Sequence, residues 1–310
     1  MELCIESNPL KTANAALLSK GLDKIADDSR THPEEPEKAE RLSFGSLHIP
    51  PRPQVVTDLM AEQAKAEPDF QRVAKLITAD VGLSAAMIKS VNSAAFGLSR
   101  KVASVPQALQ LLGLKQVTGI ATALVLRNMS GGGKSASLER FWDSAEKVAL
   151  ICASLAKKLH CIASDEAYSY GLFHNCGIPL LMQHFPGYKD ALIAANSSEG
   201  LSFTACEENR VGTSHVAVGY FLARSWSLPK DLCQAILRHH EPAVFDLAKS
   251  DQHGSLLDLI GIGHLAEHIH HLSQRRGEDI EWGKFEAAVL KNFDISSGNL
   301  QDIIEDILTL

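Results

Sequence analysis

A chain of 310 residues with 45% hydrophobic and 22% charged residues has globular composition and enough length to bury one large core or two smaller ones. Its formal net charge of -7 excludes a global pull toward nucleic acid or anionic membrane. Its six cysteines form no Cys-x-x-Cys pair and read as small buried hydrophobes in a reducing compartment.

Residues 1–30 lack a basic start followed by an apolar run, so no signal peptide is expected. No window approaches about 18 uncharged apolar residues, so no membrane span is expected and the cytoplasm is the expected compartment. The charge is uneven. Residues 65–130 carry eight Lys/Arg against Glu67, Asp69 and Asp80. This basic stretch is read as scattered solubilising charge, with an anion-binding adaptor as the competing reading and nucleic acid as an unfavoured partner.

In chain order, residues 10–29 space Leu10, Leu17, Leu18, Leu22 and Ile25 as a helix would. A charged, proline-punctuated linker follows, so residues 1–40 read as a leader helix and linker. Ile49-Pro50-Pro51-Arg52-Pro53 fixes an extended approach. Helices are predicted at about 53–66, 69–79 and 83–93. Another runs from Ser104-Val105-Pro106 to Gly113, where glycine permits the left-handed conformation, and a further one spans 114–129. Ser130-Gly131-Gly132-Gly133-Lys134-Ser135 lacks the first glycine of a phosphate-binding loop and follows a helix, so it reads as a flexible joint. Phe141, Ala145, Val148, Cys152, Leu155 and Leu159 mark one face of a long helix over 138–160. Further helices are predicted at about 164–184, 186–196, 202–211, 213–226, 229–240, 253–274, 282–292 and 298–309. No alternating strand is evident, so the fold class is all-α.

The compositional oddity is thirteen histidines, since imidazole is the commonest metal ligand. Gly171-Leu172-Phe173-His174-Asn175-Cys176-Gly177 sets a His-Asn pair in an apolar run before a glycine read as helix-ending. His239-His240 closes a helix, where imidazoles suit the negative end of the dipole. His264, His268 and His271 step by 4 and 3 along one helix face and read as a solvated polar stripe.

The order of these pieces carries a resemblance. Leu-Phe-His-Asn-Cys-Gly resembles the His-Asp-x-Gly core of the HD metal-dependent phosphohydrolase superfamily. Gly212-Thr213-Ser214-His215, Trp226-x-Leu228-Pro229 and Ile236-x-x-His239-His240-Glu241-Pro242 look like its HDOD branch. Ile49-Pro50-Pro51-Arg52-Pro53, Val91-Asn92-Ser93-Ala94-x-Phe96-Gly97 and Ala108-x-x-Leu111-Leu112-Gly113 agree. The resemblance covers roughly residues 45–270. It implies a two-lobed helical bundle of the HD-domain type: an HDOD domain over 41–250, divided into lobes at 41–130 and 138–250, with C-terminal helices over 251–310 packing on the second lobe.

The same resemblance implies a metal-ligand set, and this chain departs from it. Ser144 stands where the first histidine belongs, Asn175 replaces the aspartate of the pair, and Glu267 replaces the late aspartate. His174, His215, His239 and His240 remain. Two cations about 3.5–4 Å apart need carboxylates to offset their repulsion, and Asn supplies no charge. The expectation is therefore a vestigial site without cofactor, at most a residual divalent metal, with His174 as a hydrogen-bonded core residue. The expected function is a non-catalytic bacterial signalling module. It would act on another signalling protein, a small anionic effector or a second copy of itself. A phosphohydrolase of nucleotides or cyclic dinucleotides with an altered ligand set is the alternative.

Overall fold

The computed structural model describes residue 47 and residues 49–92, 96, 98, 100–131, 135–198, 200–247, 254–274 and 277–309. The predicted leader helix and linker lie outside the described residues, as do Cys4, His253, the centre of the glycine-rich joint and part of the segment between Asn92 and Gly97. The described residues are helical, with no β-strand among them.

The first lobe begins with α1 (Gln54–Gln63), α2 (Phe70–Thr78) and α3 (Val81–Val91). Asp69 caps α2 by accepting from Gln71 N and Arg72 N, and Asp80 caps α3 by accepting from Leu83 N, which satisfies amides that have no partner within the helix. α4 (Val105–Met129) carries a break at Gly113, whose φ of 79° and ψ of 171° are not helical. The predicted glycine boundary is thus a sharp kink within one long element. A single asparagine organises the α3–α4 link. Asn92 donates to Val102 O at 2.7 Å and accepts from Val102 N at 2.7 Å, standing in for a backbone strand partner.

The second lobe holds α5 (Ala136–Leu159), α6 (Ser164–Phe173), α7 (Gly177–His184), α8 (Tyr188–Asn196), α9 (Phe203–Val211), α10 (His215–Ser225) and α11 (Lys230–Arg238). A 3-10 turn at Pro242–Asp246 was not anticipated. Then come α12 (Gly254–Ser273), α13 (Ile280–Phe293) and α14 (Ser297–Leu308). The predicted helix over 164–184 is two helices, broken at residues 174–176, where the His-Asn pair sits. Nor does Gly177 end a helix. It is the first residue of α7, and a Cβ there would lie 2.1 Å from His215 O and 2.9 Å from Gly219 N. Only a hydrogen side chain lets α7 and α10 cross backbone to backbone.

One hydrophobic cluster runs through both lobes, from Leu47 and Val56 to Ile236 and Ile260. Each fully buried aliphatic side chain contributes about 1.5–3 kcal/mol. A second cluster joins α5 and α12 to Phe285, Val289, Ile303 and Ile304. The lobes are also latched by polar bonds. Trp226 Nε1 donates to Pro50 O at 3.1 Å, and Arg52 Nη1 donates to Trp226 O at 2.9 Å.

One helix meets a looser criterion than the uncharged run that the sequence lacks. Val105–Met129, which includes Lys115, holds an 18-residue window of mean hydropathy 1.5, long and apolar enough by length and composition to cross a membrane. It is kinked at Gly113, and 61% of that window is buried among the other helices, as expected of the core helix it is here.

Candidate functional site

The breaks between helices deliver the polar groups. The α6–α7 joint presents His174 and Asn175, the start of α10 presents His215, and the end of α11 presents His239 and His240. All four histidines are buried. Their rings pack together, with centroids 5.4 Å apart for His174 and His239, 5.3 Å for His215 and His239, and 4.3 Å for His239 and His240. α12 crosses beneath and adds Glu267.

Every imidazole is oriented through Nδ1. His174 reaches Gly171 O at 2.9 Å and His239 reaches Ile236 O at 2.9 Å. His215 reaches Glu207 Oε2 at 2.8 Å and His240 reaches Glu281 Oε1 at 2.6 Å. These acceptors require a proton on Nδ1, which leaves Nε2 as the lone-pair nitrogen wherever the ring is neutral. Burial, with neighbouring imidazoles adding to it, holds His239 well below the usual histidine range. Burial also lowers His240, partly opposed by its bond to Glu281.

Glu207 is the residue that sequence reasoning missed. Fully buried on α9, it accepts from Tyr188 OH, from His215 N at 3.2 Å and from His215 Nδ1. Burial pushes its carboxyl up, but the His215 imidazole and these donors outweigh that and hold it below the ordinary range. Glu281, on α13, was missed as well. Neither stands out in the sequence: Glu207 is followed by Glu208, Asn209 and Arg210, and Glu281 lies between Asp279 and Lys284, so periodicity does not separate them from surface charge.

Two loci result. At the first, one ring nitrogen from each of His215, His239 and His240 lies within 4.8 Å of the others, and His215 Nε2 faces His239 Nε2 at 3.3 Å. Two ring nitrogens at that distance call for a proton or a metal ion between them. A histidine whose other nitrogen is tied to a carboxylate or carbonyl is how proteins orient metal ligands. The donor set therefore fits one borderline ion such as Zn2+ or Fe2+, which would act there as a Lewis acid.

At the second locus, His174 Nε2 lies 3.0 Å from Glu267 Oε1, and Asn175 Nδ2 lies 2.8 Å from His174 Nε2 and 3.0 Å from Glu267 Oε1. Burial disfavours the Glu267 carboxylate, yet the His174 imidazole more than offsets this and holds it at about 2. The amide nitrogen of Asn175 lies against both the carboxylate oxygen and the imidazole Nε2 that a cation would need. Asn175 Oδ1 is left buried without a partner in the protein. Ser144 sits half-buried on α5, with no hydrogen bond to the histidines among the described residues. This locus does not fit a metal, and the pair of loci does not fit a two-metal centre.

The stripe His264, His268 and His271 is not solvated as expected. His264 is buried, donates to His239 O at 2.6 Å and stacks on Phe285 at 3.7 Å. Burial lowers its basicity to about 4, so it is neutral and spent as a strut beneath His239. His268 pairs with Asp279 at 3.0 Å and stacks on Trp282. His271 reaches Gly277 O at 2.7 Å. Cys152, Cys176, Cys206 and Cys233 are buried free thiols, as expected, and Cys161 is half-buried.

Comparison with known proteins agrees with this architecture. Among solved structures, a Shewanella amazonensis SB2B protein provisionally named a phosphohydrolase superposes with a TM-score of 0.61 at 22% identity, over 83% of this chain and 89% of that one. An HDOD domain protein from Geobacter sulfurreducens superposes with a TM-score of 0.58 at 20% identity, over 85% and 94%. These likenesses show the fold. A Treponema pallidum protein is 26% identical over 198 residues, and YuxH of Bacillus subtilis is 33% identical over 101. The matched segments span 37% and 24% of those two relatives and 61% and 33% of this chain. The HDOD domain model matches residues 49–242, which takes in α1 through α11 and every histidine of the two loci. The chain belongs to the HDOD family.

Proposed function

We propose that this chain is a non-catalytic bacterial regulatory module that acts by binding, in the cytoplasm, another signalling protein or a small effector. The observation that carries the reading is the closed set at His174, Asn175 and Glu267. An amide stands where a two-metal hydrolase needs a bridging anion, and its nitrogen lies against the neighbouring ligand atoms. Without that anion, a second cation has nothing to offset repulsion from the first, and no base is placed to activate water. A second copy of the chain is a further candidate partner.

A competing reading is favoured by the three oriented imidazoles of His215, His239 and His240: a metal-dependent phosphohydrolase of nucleotides or cyclic dinucleotides with an altered ligand set. Elemental analysis of the purified protein, paired with a generic phosphodiester assay, separates the two. The regulatory reading expects no more than one equivalent of Fe, Mn or Zn and no turnover. Two equivalents with turnover that disappears in His174→Ala would overturn it.

A further inference from the structure

We infer that Glu281, on α13, is a positioning residue for a single divalent ion held by His215, His239 and His240, and that it links binding of the ion to docking of the C-terminal helices. The inference goes beyond the regulatory reading, which stands with one ion or with none. A tetrahedral ion with metal–nitrogen bonds of about 2.0–2.1 Å holds its nitrogens about 3.3–3.4 Å apart, and His215 Nε2 and His239 Nε2 are 3.3 Å apart. His240 completes the set, with one nitrogen from each ring within 4.8 Å of the others.

The three rings are aimed by different parts of the chain. His239 is held by Ile236 O of its own helix, and His215 by Glu207 on α9. Both anchors lie within residues 49–242, the segment that the family model matches. The anchor of His240 lies beyond that segment: its Nδ1 is 2.6 Å from Glu281 Oε1. Phe203 stacks on the same ring, with centroids 4.5 Å apart and planes 7° apart, so α9 fixes the plane of His240 and α13 fixes its rotation. Glu281 is itself set in place. Its other oxygen accepts from Lys284 Nζ at 2.9 Å. The next residue, Trp282, is buried and stacks on His268 of α12. Phe285, one turn on, stacks on His264, the strut beneath His239. A carboxylate on the far nitrogen of a ligand imidazole keeps the near nitrogen aimed at the ion, and its loss costs about 10–100-fold in metal affinity. The same bond docks α13, so ion and helix favour each other by one and the same factor.

Co2+ and Zn2+ are the probes, added to the full chain after stripping with a chelator. The chain is expected to take one equivalent of Co2+ with the intense visible bands of four-coordinate cobalt, and Zn2+ should displace it. Glu281→Gln keeps an acceptor for His240 Nδ1–H but loses the charge, and should weaken Zn2+ about tenfold. Glu281→Ala loses both and should weaken it about 100-fold and shift the cobalt bands. Hydrogen exchange across residues 280–293 should slow when Zn2+ is added to the wild type, but not to Glu281→Ala. Val289→Ala is the packing control. It truncates a fully buried side chain of α13 two turns from Glu281, so it should lower the urea midpoint and leave the cobalt bands where they are. The inference is overturned if neither ion binds, if Glu281→Ala keeps the wild-type affinity and bands, or if Val289→Ala weakens Zn2+ as much as Glu281→Ala. Phosphodiester turnover is none of these readouts, so failure here is distinguishable from failure of the regulatory reading.

Discussion

One atom separates Asn175 from the aspartate that a two-metal site needs, and that atom now donates where it would have accepted. Asn175→Asp would set a second carboxylate about 3.0 Å from Glu267 Oε1, judged by the present amide nitrogen, and like charges so close destabilise each other. A loss of about 1–3 kcal/mol is expected in the presence of chelator. Mn2+ should restore it, since a cation relieves the repulsion. A melting temperature that ignores Mn2+ in this variant would show that the locus has lost more than one ligand atom. Glu207→Gln tests the other locus. Gln keeps the volume but turns an acceptor toward Tyr188 OH or His215 into a donor, at a cost of about 1–3 kcal/mol in urea unfolding. The residue scale is also where sequence reading was weakest. His174, Asn175, His215, His239, His240 and Glu267 were all named, because their motifs are local. Glu207 and Glu281 were not, because a carboxylate that orients an imidazole across 8 or 41 residues leaves no periodic trace.

At the scale of elements, glycine and aspartate set where helices start and how closely they cross. Gly177→Ala must push His215 O away from 2.1 Å, which separates α7 from α10 and costs about 3 kcal/mol or more. Gly113→Ala meets nothing within 4 Å and bears only the strain of φ +79° with ψ 171°, a glycine-only region that costs about 1–3 kcal/mol. Urea midpoints of the two variants should therefore differ, with Gly177→Ala the less stable; the reverse order would mean that α7 and α10 can slide. Asp279 makes a pH-dependent joint. It caps α13 by accepting from Trp282 N at 3.2 Å and binds His268. Burial raises its carboxyl, but the His268 bond and the cap more than offset that, so it titrates below its ordinary value of 3.8. A folded value below the unfolded one adds stability above about pH 4 that is lost as the pH falls through the folded value. Asp279→Ala should cost about 1 kcal/mol at neutral pH, and less as the pH falls below about 4. A deficit that persists at low pH would place the stabilisation in packing. Helix boundaries were legible in the sequence because caps such as Asp69 and Asp80 act within one turn. The break at residues 174–176 was legible too, though it was not used: Pro179, third residue of α7, has no amide proton for the carbonyl of Asn175 and its ring crowds that carbonyl. The close crossing of α7 and α10 at Gly177 fits the same joint.

At the scale of the whole molecule, the question is whether the two lobes are one cooperative unit. A continuous apolar cluster spans both, and the Trp226 latch joins Pro50 and Arg52 to the end of α10. The tryptophans provide the means to test this. Trp226 bonds Pro50 O and Trp142 lies beside Ser90 and Ile120 of the first lobe, so the double variant Trp142→Phe, Trp226→Phe, which keeps only Trp282 stacked on His268, reports the second lobe, whereas circular dichroism reports every helix. If the lobes unfold together, fluorescence and far-ultraviolet transitions in urea should coincide. Arg52→Ala removes a charge-assisted bond to Trp226 O and should lower stability by about 1.5–3 kcal/mol, shifting both transitions equally. A dichroism change that precedes the fluorescence change would mean that the first lobe melts alone. The cleft between the lobes would then open without disturbing the histidine core. Coincident transitions that move together make lobe packing, and anything that binds between the lobes, a property of the entire domain.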